Sequence, residues 1–233
     1  MEGIEMKHGQ RLALITVFSI GTLTGHGAEA VSVSVTSGGN TIEVESFTTA
    51  GTVEDFYAFG NPDNASANTP IGLEDGNSDA AVFFLVEGSD TAPGTVSLGF
   101  IIDTPQDGSG GSASIAVSGF TSPPVIEVSD DGPETVFDAV SNTLNGNFTW
   151  FGCCTDGFLV SGIDTDILRL SFEITNVTGL ANGFFFASPN GSGGADLFGI
   201  SSEGTLAVPL PPAFALLFAG IAGLTLMARR ASA

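Results

Sequence analysis

Positive charge is nearly absent from this chain. Its 233 residues hold 26 Asp and Glu but only five Lys and Arg, for a formal net charge of −21. Between residues 31 and 207 the one basic residue is Arg169, against 23 acidic residues (26 less Glu2, Glu5 and Glu29). We do not expect such a segment to bind nucleic acid or an anionic membrane surface, since both need Lys and Arg. The charge favours solubility and the binding of cations.

Histidine and lysine are also missing from residues 31–207. Their absence removes most side chains that act as general bases, as Schiff-base amines or as activators of a nucleophile. Paired carboxylates can serve glycosidases and acid proteases, but no sequence signature of either class is present. We therefore expect a protein that is not an enzyme, with a carboxylate-dependent hydrolase as the less favoured alternative.

Long apolar stripes with a helical period are lacking outside the two ends of the chain. Short runs of β-branched and aromatic residues recur instead between clusters of Gly, Asn, Asp, Ser and Pro, which is typical of an all-β domain. We predict an antiparallel β-sandwich, jelly-roll or immunoglobulin-like, of roughly eight to eleven strands. The least regular stretch, residues 48–77, predicts a long loop with a short strand or helical turn near Phe56. The candidate strands are residues 31–35, 41–46, 81–86, 95–102, 114–120, 125–129, 147–151, 158–162, 167–177, 183–188 and 196–200.

The N-terminal 30 residues have the layout of a secretory signal peptide. Lys7 and Arg11 precede a short apolar segment, and Ala28-Glu29-Ala30 follows as an A-x-A-like cleavage site. A short buried helix or an uncleaved anchor is the alternative, but the apolar segment is short for a membrane span. We predict a signal helix in residues 1–30, cleavage after Ala30, and an acidic exported β-sandwich in residues 31–207.

The C-terminal segment, residues 208–233, has three parts. A proline-rich motif at 208–212 is followed by sixteen uncharged residues, 213–228, and by an arginine-rich end at 229–233. As a helix the sixteen residues would be about 24 Å long, slightly short of the ~30 Å hydrocarbon core. Two arginines after it would remain in the cytoplasm, which agrees with export of the preceding domain. The residues concerned are Val208, Pro209, Leu210, Pro211, Pro212, Arg229 and Arg230.

This arrangement of motif, transmembrane helix and arginines resembles the VPLPA type of PEP-CTERM sorting signal. Such signals are recognised by membrane-embedded exosortases in Gram-negative bacteria, often alongside exopolysaccharide production. The resemblance covers only the tail, and Pro212 stands where the named form has Ala. It implies that an exosortase-type enzyme removes the tail near the motif, so that the domain is first anchored in the inner membrane facing the periplasm. The domain then reaches the cell surface or is secreted, whereas a plain anchor that is never cut is the alternative.

From these features we expect an exported protein with a structural or adhesive role at the cell surface or in the extracellular matrix. Exopolysaccharide, within a biofilm, is the expected partner. The alternative is a carbohydrate-binding or calcium-dependent binding module.

The two cysteines, Cys153 and Cys154, are adjacent and follow Trp150 and Phe151. Export favours oxidation, so we predict a vicinal disulfide; free or intermolecularly paired thiols, or a metal or redox site, are the alternatives. Two thiolates without His are too few ligands for zinc. The favoured interpretation is a core tryptophan beside a disulfide-closed turn, and the alternative is a loop that presents Trp150 and Phe151 to a ligand.

Calcium is the one cofactor for which the sequence offers candidate ligands. Asp75, Asn77 and Asp79 occupy alternate positions, as at the start of a calcium loop. Ala80 stands where that loop needs glycine, so a polar turn is the favoured interpretation. Other candidates for weak calcium binding are Asp130, Asp131, Asp164 and Asp166.

Overall fold

The computed structural model describes residues 30–58, 80–102, 110–129, 132–151, 155–166 and 168–208. These residues form fourteen β-strands and one short helix. In chain order the elements are β1 Ser32–Ser37, β2 Asn40–Glu45, β3 Phe47–Thr48, α1 Val53–Tyr57, β4 Ala80–Glu87, β5 Thr95–Ile102, β6 Gly111–Ser118, β7 Val125–Ser129, β8 Thr135–Asp138, β9 Thr143–Trp150, β10 Asp156–Asp164, β11 Arg169–Thr178, β12 Gly183–Pro189, β13 Ala195–Ile200 and β14 Glu203–Ala207.

The strands form two sheets of seven strands each. Sheet I has the order β2-β1-β14-β11-β6-β9-β8, and all its neighbours are antiparallel. Sheet II has the order β13-β12-β4-β5-β10-β7, with β3 paired to the last two residues of β4. Among the described strands the parallel pairs are those of β4 with β12 and β3. The predicted fold class, an all-β sandwich, is therefore confirmed.

The main core lies between the two sheets. Strand β11 shows why: Leu170, Phe172 and Ile174 alternate with exposed polar residues and are buried on one face. The Phe172 ring lies 5.0 Å from the ring of Phe83 on β4, between centroids. Because strand side chains alternate between faces, this period of two directs one face of sheet I onto sheet II and leaves the other in solvent.

Strand β4 is buried on both faces. Its Ala81, Phe83 and Leu85 belong to the core between the sheets, whereas Ala80, Val82, Phe84 and Val86 belong to a second apolar cluster on the outer face of sheet II. A continuous apolar run is the pattern expected of a strand that is covered on both sides. Helix α1 provides part of this second cover.

Helix α1 begins with a capping box. Asp55 N donates to Thr52 Oγ1 and Thr52 N donates to Asp55 Oδ2, both at 3.0 Å, so two backbone donors at the helix start are satisfied. The helix ends at Tyr57, and its C-cap, Ala58, adopts the left-handed conformation. Val53 and Tyr57 are buried against sheet II. Of the two alternatives predicted near Phe56, a short strand or a helical turn, the structure has the helical turn.

Both chain segments that lead out of the sandwich leave from one end. Strand β1 begins next to the point where β14 ends, since Ser34 is paired with Ala207 in an antiparallel register. We call this the Val31 end. Strand β9 runs in the same direction as β1, away from the Val31 end, since four antiparallel pairings separate the two strands. Trp150 at the C-terminus of β9 therefore lies at the opposite end, the Trp150 end.

All eleven candidate strands correspond to strands of the structure, but three further strands raise the number above the predicted range. The missed strands are β3, β8 and β14, with two, four and five residues. Strands β3 and β8 are too short for a period to be recognised, and β14 has only a weak alternation of apolar and polar residues.

Apart from Ala30, the predicted helices of residues 1–30 and 213–228 lie outside the described residues. Within the described part of the chain, no helix combines the length and the apolar character needed to span a membrane.

Candidate binding surface

The solvent face of sheet I carries a row of hydroxyl side chains that crosses six adjacent strands. Cross-strand partners in register point to the same face, and the pairings are continuous from β2 to β9. At about 4.8 Å between strands, the row is about 24 Å long. We call this the hydroxyl row; its members, in spatial order, are Thr41, Thr36, Thr205, Ser171, Ser118 and Thr143.

The hydroxyl row from Thr36 to Thr143 lies in a broad, open depression of about 570 Å³. Five of the six hydroxyl residues line it, together with the Gly38-Gly39 turn between β1 and β2. Phe172 is the one aromatic residue among its lining residues, and that side chain is 3% exposed and points into the core. A ligand in this depression would therefore be held by hydrogen bonds and not by stacking on a ring.

Two carboxylates border the depression. Glu173 on β11 and Glu203 on β14 are directly opposite in the strand register, and both are exposed. Like charges at directly opposite positions repel each other. As ionised groups they accept hydrogen bonds and do not donate them. The border thus suits a ligand with hydroxyl donors and disfavours an anionic one.

Asp138 on β8 continues the hydroxyl row at its far end, opposite Thr143. Ser141 Oγ donates to Asp138 Oδ2 at 2.7 Å, and Val140 N donates to Oδ1 at 2.9 Å. These bonds, that of Ser141 foremost, lower the pKa of the Asp138 carboxyl below its ordinary value. Hydrogen bonds to the charged form have this effect because they stabilise the carboxylate. The row therefore ends in a fixed negative charge.

The two aromatic candidates at the Trp150 end differ in exposure. Trp150 is 2% exposed, packs in the core between the sheets and has no hydrogen-bond partner for its Nε1 in the described part of the chain. Gly111 on β6 makes room for it, since a Cβ there would lie 2.5 Å from Trp150 Cζ2. Phe151 is 72% exposed. Ligand contact by this pair stays a prediction, and Phe151 is the member that presents its ring to solvent.

Acidic groups are scattered over the described residues. Asp166 N donates to Asp164 Oδ1 at 2.9 Å, which closes a local turn at the end of β10. No set of three or more His, Cys, Asp and Glu positioned to hold a metal ion occurs among the residues that the structure describes. Calcium binding at Asp164 and Asp166 stays a prediction.

Several predicted site residues lie outside the described residues: Ala28, Asp75, Asn77, Asp79, Asp130, Asp131, Cys153, Cys154, Pro209, Leu210, Pro211, Pro212, Arg229 and Arg230. The predictions made for them stay predictions. Each of the two predicted processing sites has one residue that the structure describes, and both of these residues lie at the Val31 end. Ala30 is exposed, and Val208 N donates to the carbonyl oxygen of Leu168 at 3.3 Å.

Sequence reasoning missed the hydroxyl row. Ser and Thr are common on the solvent face of any strand, so none of its members was a signal by itself. The strand register is what brings residues 36 and 205 into one line.

Comparison of the chain with protein-family models, with curated proteins and with solved structures finds no match.

Proposed function

We propose that this protein is exported, loses residues 1–30 after Ala30, and is delivered to the surface of a Gram-negative cell through its tail. An exosortase-type membrane enzyme recognises residues 208–233 and cuts near the proline motif. The released domain has a structural or adhesive, non-catalytic role in an exopolysaccharide matrix. The observation that carries this proposal is the order of the tail: proline motif, uncharged sixteen-residue stretch and Arg229-Arg230 at the end.

The position of the chain ends supports this proposal. Both segments proposed to enter the membrane join the domain at the Val31 end, on the adjacent strands β1 and β14. The exposed Phe151 lies at the Trp150 end, on the far side. A domain held by such a tail would therefore turn its Trp150 end away from the membrane.

The hydroxyl row supports a carbohydrate ligand. A row of hydroxyls bordered by two carboxylates can exchange many hydrogen bonds with a polymer that is itself rich in hydroxyl groups. Residues 31–207 have a formal charge of −22, from 23 acidic residues and one basic residue, so an anionic polymer would be repelled. We infer that the exopolysaccharide contacted by this face is neutral.

We further propose that residues 1–30 form a signal helix and residues 213–228 a membrane helix, and that processing removes both. The sandwich that remains is jelly-roll-like or immunoglobulin-like, and a vicinal disulfide of Cys153 and Cys154 tightens its Trp150 end.

The test is the mass of the protein recovered from the cell surface and from the medium of a Gram-negative host that has an exosortase. The expected mass lacks residues 1–30 and ends within or near residues 208–212. The matched control is the same host without its exosortase, in which the tail should stay attached. Recovery of surface protein that still ends at Ala233 would overturn the sorting proposal.

A further inference from the structure

The backbone nitrogen of Val31, the first residue after the proposed cleavage site, lies between two side-chain acceptors. Val31 N donates to Ser46 Oγ at 2.8 Å and to Glu87 Oε1 at 3.1 Å. Ser46 Oγ donates in turn to Glu87 Oε1, and Ser46 N donates to the carbonyl oxygen of Val31 at 2.9 Å. Ser46 is buried, Val31 and Glu87 are half-buried, and the preceding Ala30 is exposed.

This site has more acceptors than an amide can satisfy. A peptide nitrogen in the middle of a chain carries one proton, which here has to be shared between a hydroxyl and a carboxylate. An α-ammonium group at the same place would carry three protons and a positive charge. It would donate to both oxygens at once, and its bond to the carboxylate would be the stronger charge-assisted kind.

Glu87 also has little positive charge near it. The one basic residue of residues 31–207 is Arg169, whose strand partner Ala207 is in turn the partner of Ser34. Arg169 is thus two strands away from β1 on the solvent face of sheet I. The neighbouring titratable groups are acidic: Glu45 is opposite Ser32, and Asp90 follows β4 by three residues.

We propose that cleavage after Ala30 creates an α-ammonium group on Val31 that forms an ion pair with Glu87 and fastens the start of β1 to the end of β4. The inference rests on the proposed export, which supplies the signal peptidase. The hydroxyl of a water molecule adds to the carbonyl carbon of Ala30 as the peptide bond breaks, and the nitrogen of Val31 keeps its own hydrogen and takes the remaining hydrogen of the water. At neutral pH the new carboxyl group releases one proton and the new amine takes one up.

The ion pair joins three parts of the fold at the Val31 end. Val31 leads into β1 of sheet I, Ser46 lies between β2 and β3, and Glu87 is the last residue of β4 in sheet II. Removal of the leader thereby strengthens the contact between the sheets. The exported form is the more stable form of the same domain.

The composition of the chain allows the new α-amino group of Val31 to be modified selectively. Lys7 is the only lysine, and it leaves with residues 1–30. After cleavage the one primary amine of the protein is the α-amino group of Val31. A reagent that acylates amines therefore modifies this position alone, and its rate reports how far the amine is protected.

The pH dependence follows from the acidic surroundings. Glu87, Glu45 and Asp90 all favour the charged ammonium, so the pKa of the new α-amino group is raised above its ordinary value of about 7.7–8.0. A group whose pKa is raised on folding adds stability that is complete below the unfolded pKa. That stability is lost as the pH rises through the folded pKa.

The experiment uses the full chain in mild detergent, with residues 27–30 replaced by the recognition sequence of a protease that leaves Val31 as the first residue. We expect the cut to raise Tm at pH 7 by about 2–4 °C, and the gain to fade as the pH rises above about 8. A matched version carries the recognition sequence at residues 26–29 instead, so that the cut leaves Ala30 as the first residue, and it should show no gain. Equal Tm values for the two cut versions would overturn the proposal.

Two further measurements test the ion pair without a change at Glu87, because Glu87→Gln would also alter the bonds that Val31 N and Ser46 Oγ donate to Glu87 Oε1. Acetylation of the single amine removes the ammonium without a mutation and should abolish the gain in Tm. In the folded protein the amine should react several-fold more slowly than in a free Val-Ser peptide, and an equal rate would contradict the ion pair.

Sequencing the N-terminus of the exported native protein separates this inference from the proposed function. An N-terminus at Val31 without the gain in Tm overturns the ion pair and leaves the export proposal standing. An N-terminus elsewhere overturns the cleavage site, and the ion pair with it.

Discussion

The ring of Phe84 on β4 occupies the space beside Gly99, its partner on β5. A Cβ at position 99 would stand 2.0 Å from Phe84 Cζ. The fully buried Phe84 ring contacts the Tyr57 ring of α1, with 6.4 Å between centroids. The missing side chain of Gly99 therefore allows the outer layer of sheet II to pack.

Gly99→Ala should destabilise the domain by about 1–3 kcal/mol, because the added methyl forces the Phe84 ring out of its place. Chemical denaturation measures the change. Gly199→Ala on β13 is the matched control: nothing lies within 4 Å of its Cβ position, and its backbone is not left-handed, so its effect should be small. A Phe84→Leu change should recover part of the loss in the Gly99→Ala protein, and strict additivity of the two changes would contradict the direct clash.

Thr205→Val tests the hydroxyl row. The change keeps the shape of an exposed strand residue and removes one hydroxyl from the depression, so binding to a neutral polysaccharide should weaken by roughly 3- to 10-fold, the loss of one or two modest hydrogen bonds. Calorimetry or retention in a polysaccharide gel measures it. Thr175→Val, on the same face but outside the depression, serves as the control. Equal effects of the two changes would argue against a localised contact.

Ser141→Ala should raise the pKa of Asp138 toward its ordinary value, since the Ser141 hydroxyl is the main cause of its lowered pKa. An NMR titration of the carboxyl carbon measures the shift. With the native residue, the stabilisation by ionised Asp138 is present above the unfolded pKa of about 3.9 and is lost as the pH falls through the lower folded pKa. Ser141→Ala should reduce this dependence, whereas Ser202→Ala, in the turn between β13 and β14, should leave the Asp138 titration unchanged.

Replacing Pro209 and Pro211 with Ala together should leave the tail uncut, because the proposed sorting enzyme recognises the proline motif. The protein should then remain in the inner membrane, which cell fractionation and mass measurement would detect. Pro189→Ala, at the end of β12, is a control proline that should not affect sorting. Release of the double variant at the normal level would contradict recognition of the motif.

The sequence predicted those strands whose own pattern decides their structure. Strand β11 alternates strictly between apolar and polar residues, and β4 is a continuous apolar run. Either pattern identifies a strand without knowledge of its neighbours in the sheet. Strand β14 has a weak pattern, Glu-Gly-Thr-Leu-Ala, and becomes a strand because β1 and β11 pair with both of its edges. Its Gly204 fits the ring of Phe172, since a Cβ there would lie 2.6 Å from Phe172 Cζ. Such tertiary contacts override local propensity.

The candidate sites divide in the same way. The predicted processing sites rest on local motifs that a sequence displays, whereas the hydroxyl row and the contact of Val31 with Glu87 depend on strand register. Val31 and Glu87 are 56 residues apart in the chain. Their contact follows from two pairings: β1 pairs with β2, and β3, which comes directly after β2, pairs with the end of β4. No local signal in the sequence predicts it.

The central place of β14 also bears on how the domain responds to a pulling force. The strand has five residues, antiparallel partners on both sides, and a chain that leaves it at Val208. Hydrogen bonds of an antiparallel ladder lie at right angles to the strands, so tension along β14 loads both ladders together instead of opening their bonds one by one. A domain tethered at this point would resist a pulling force by shearing two ladders of hydrogen bonds at once.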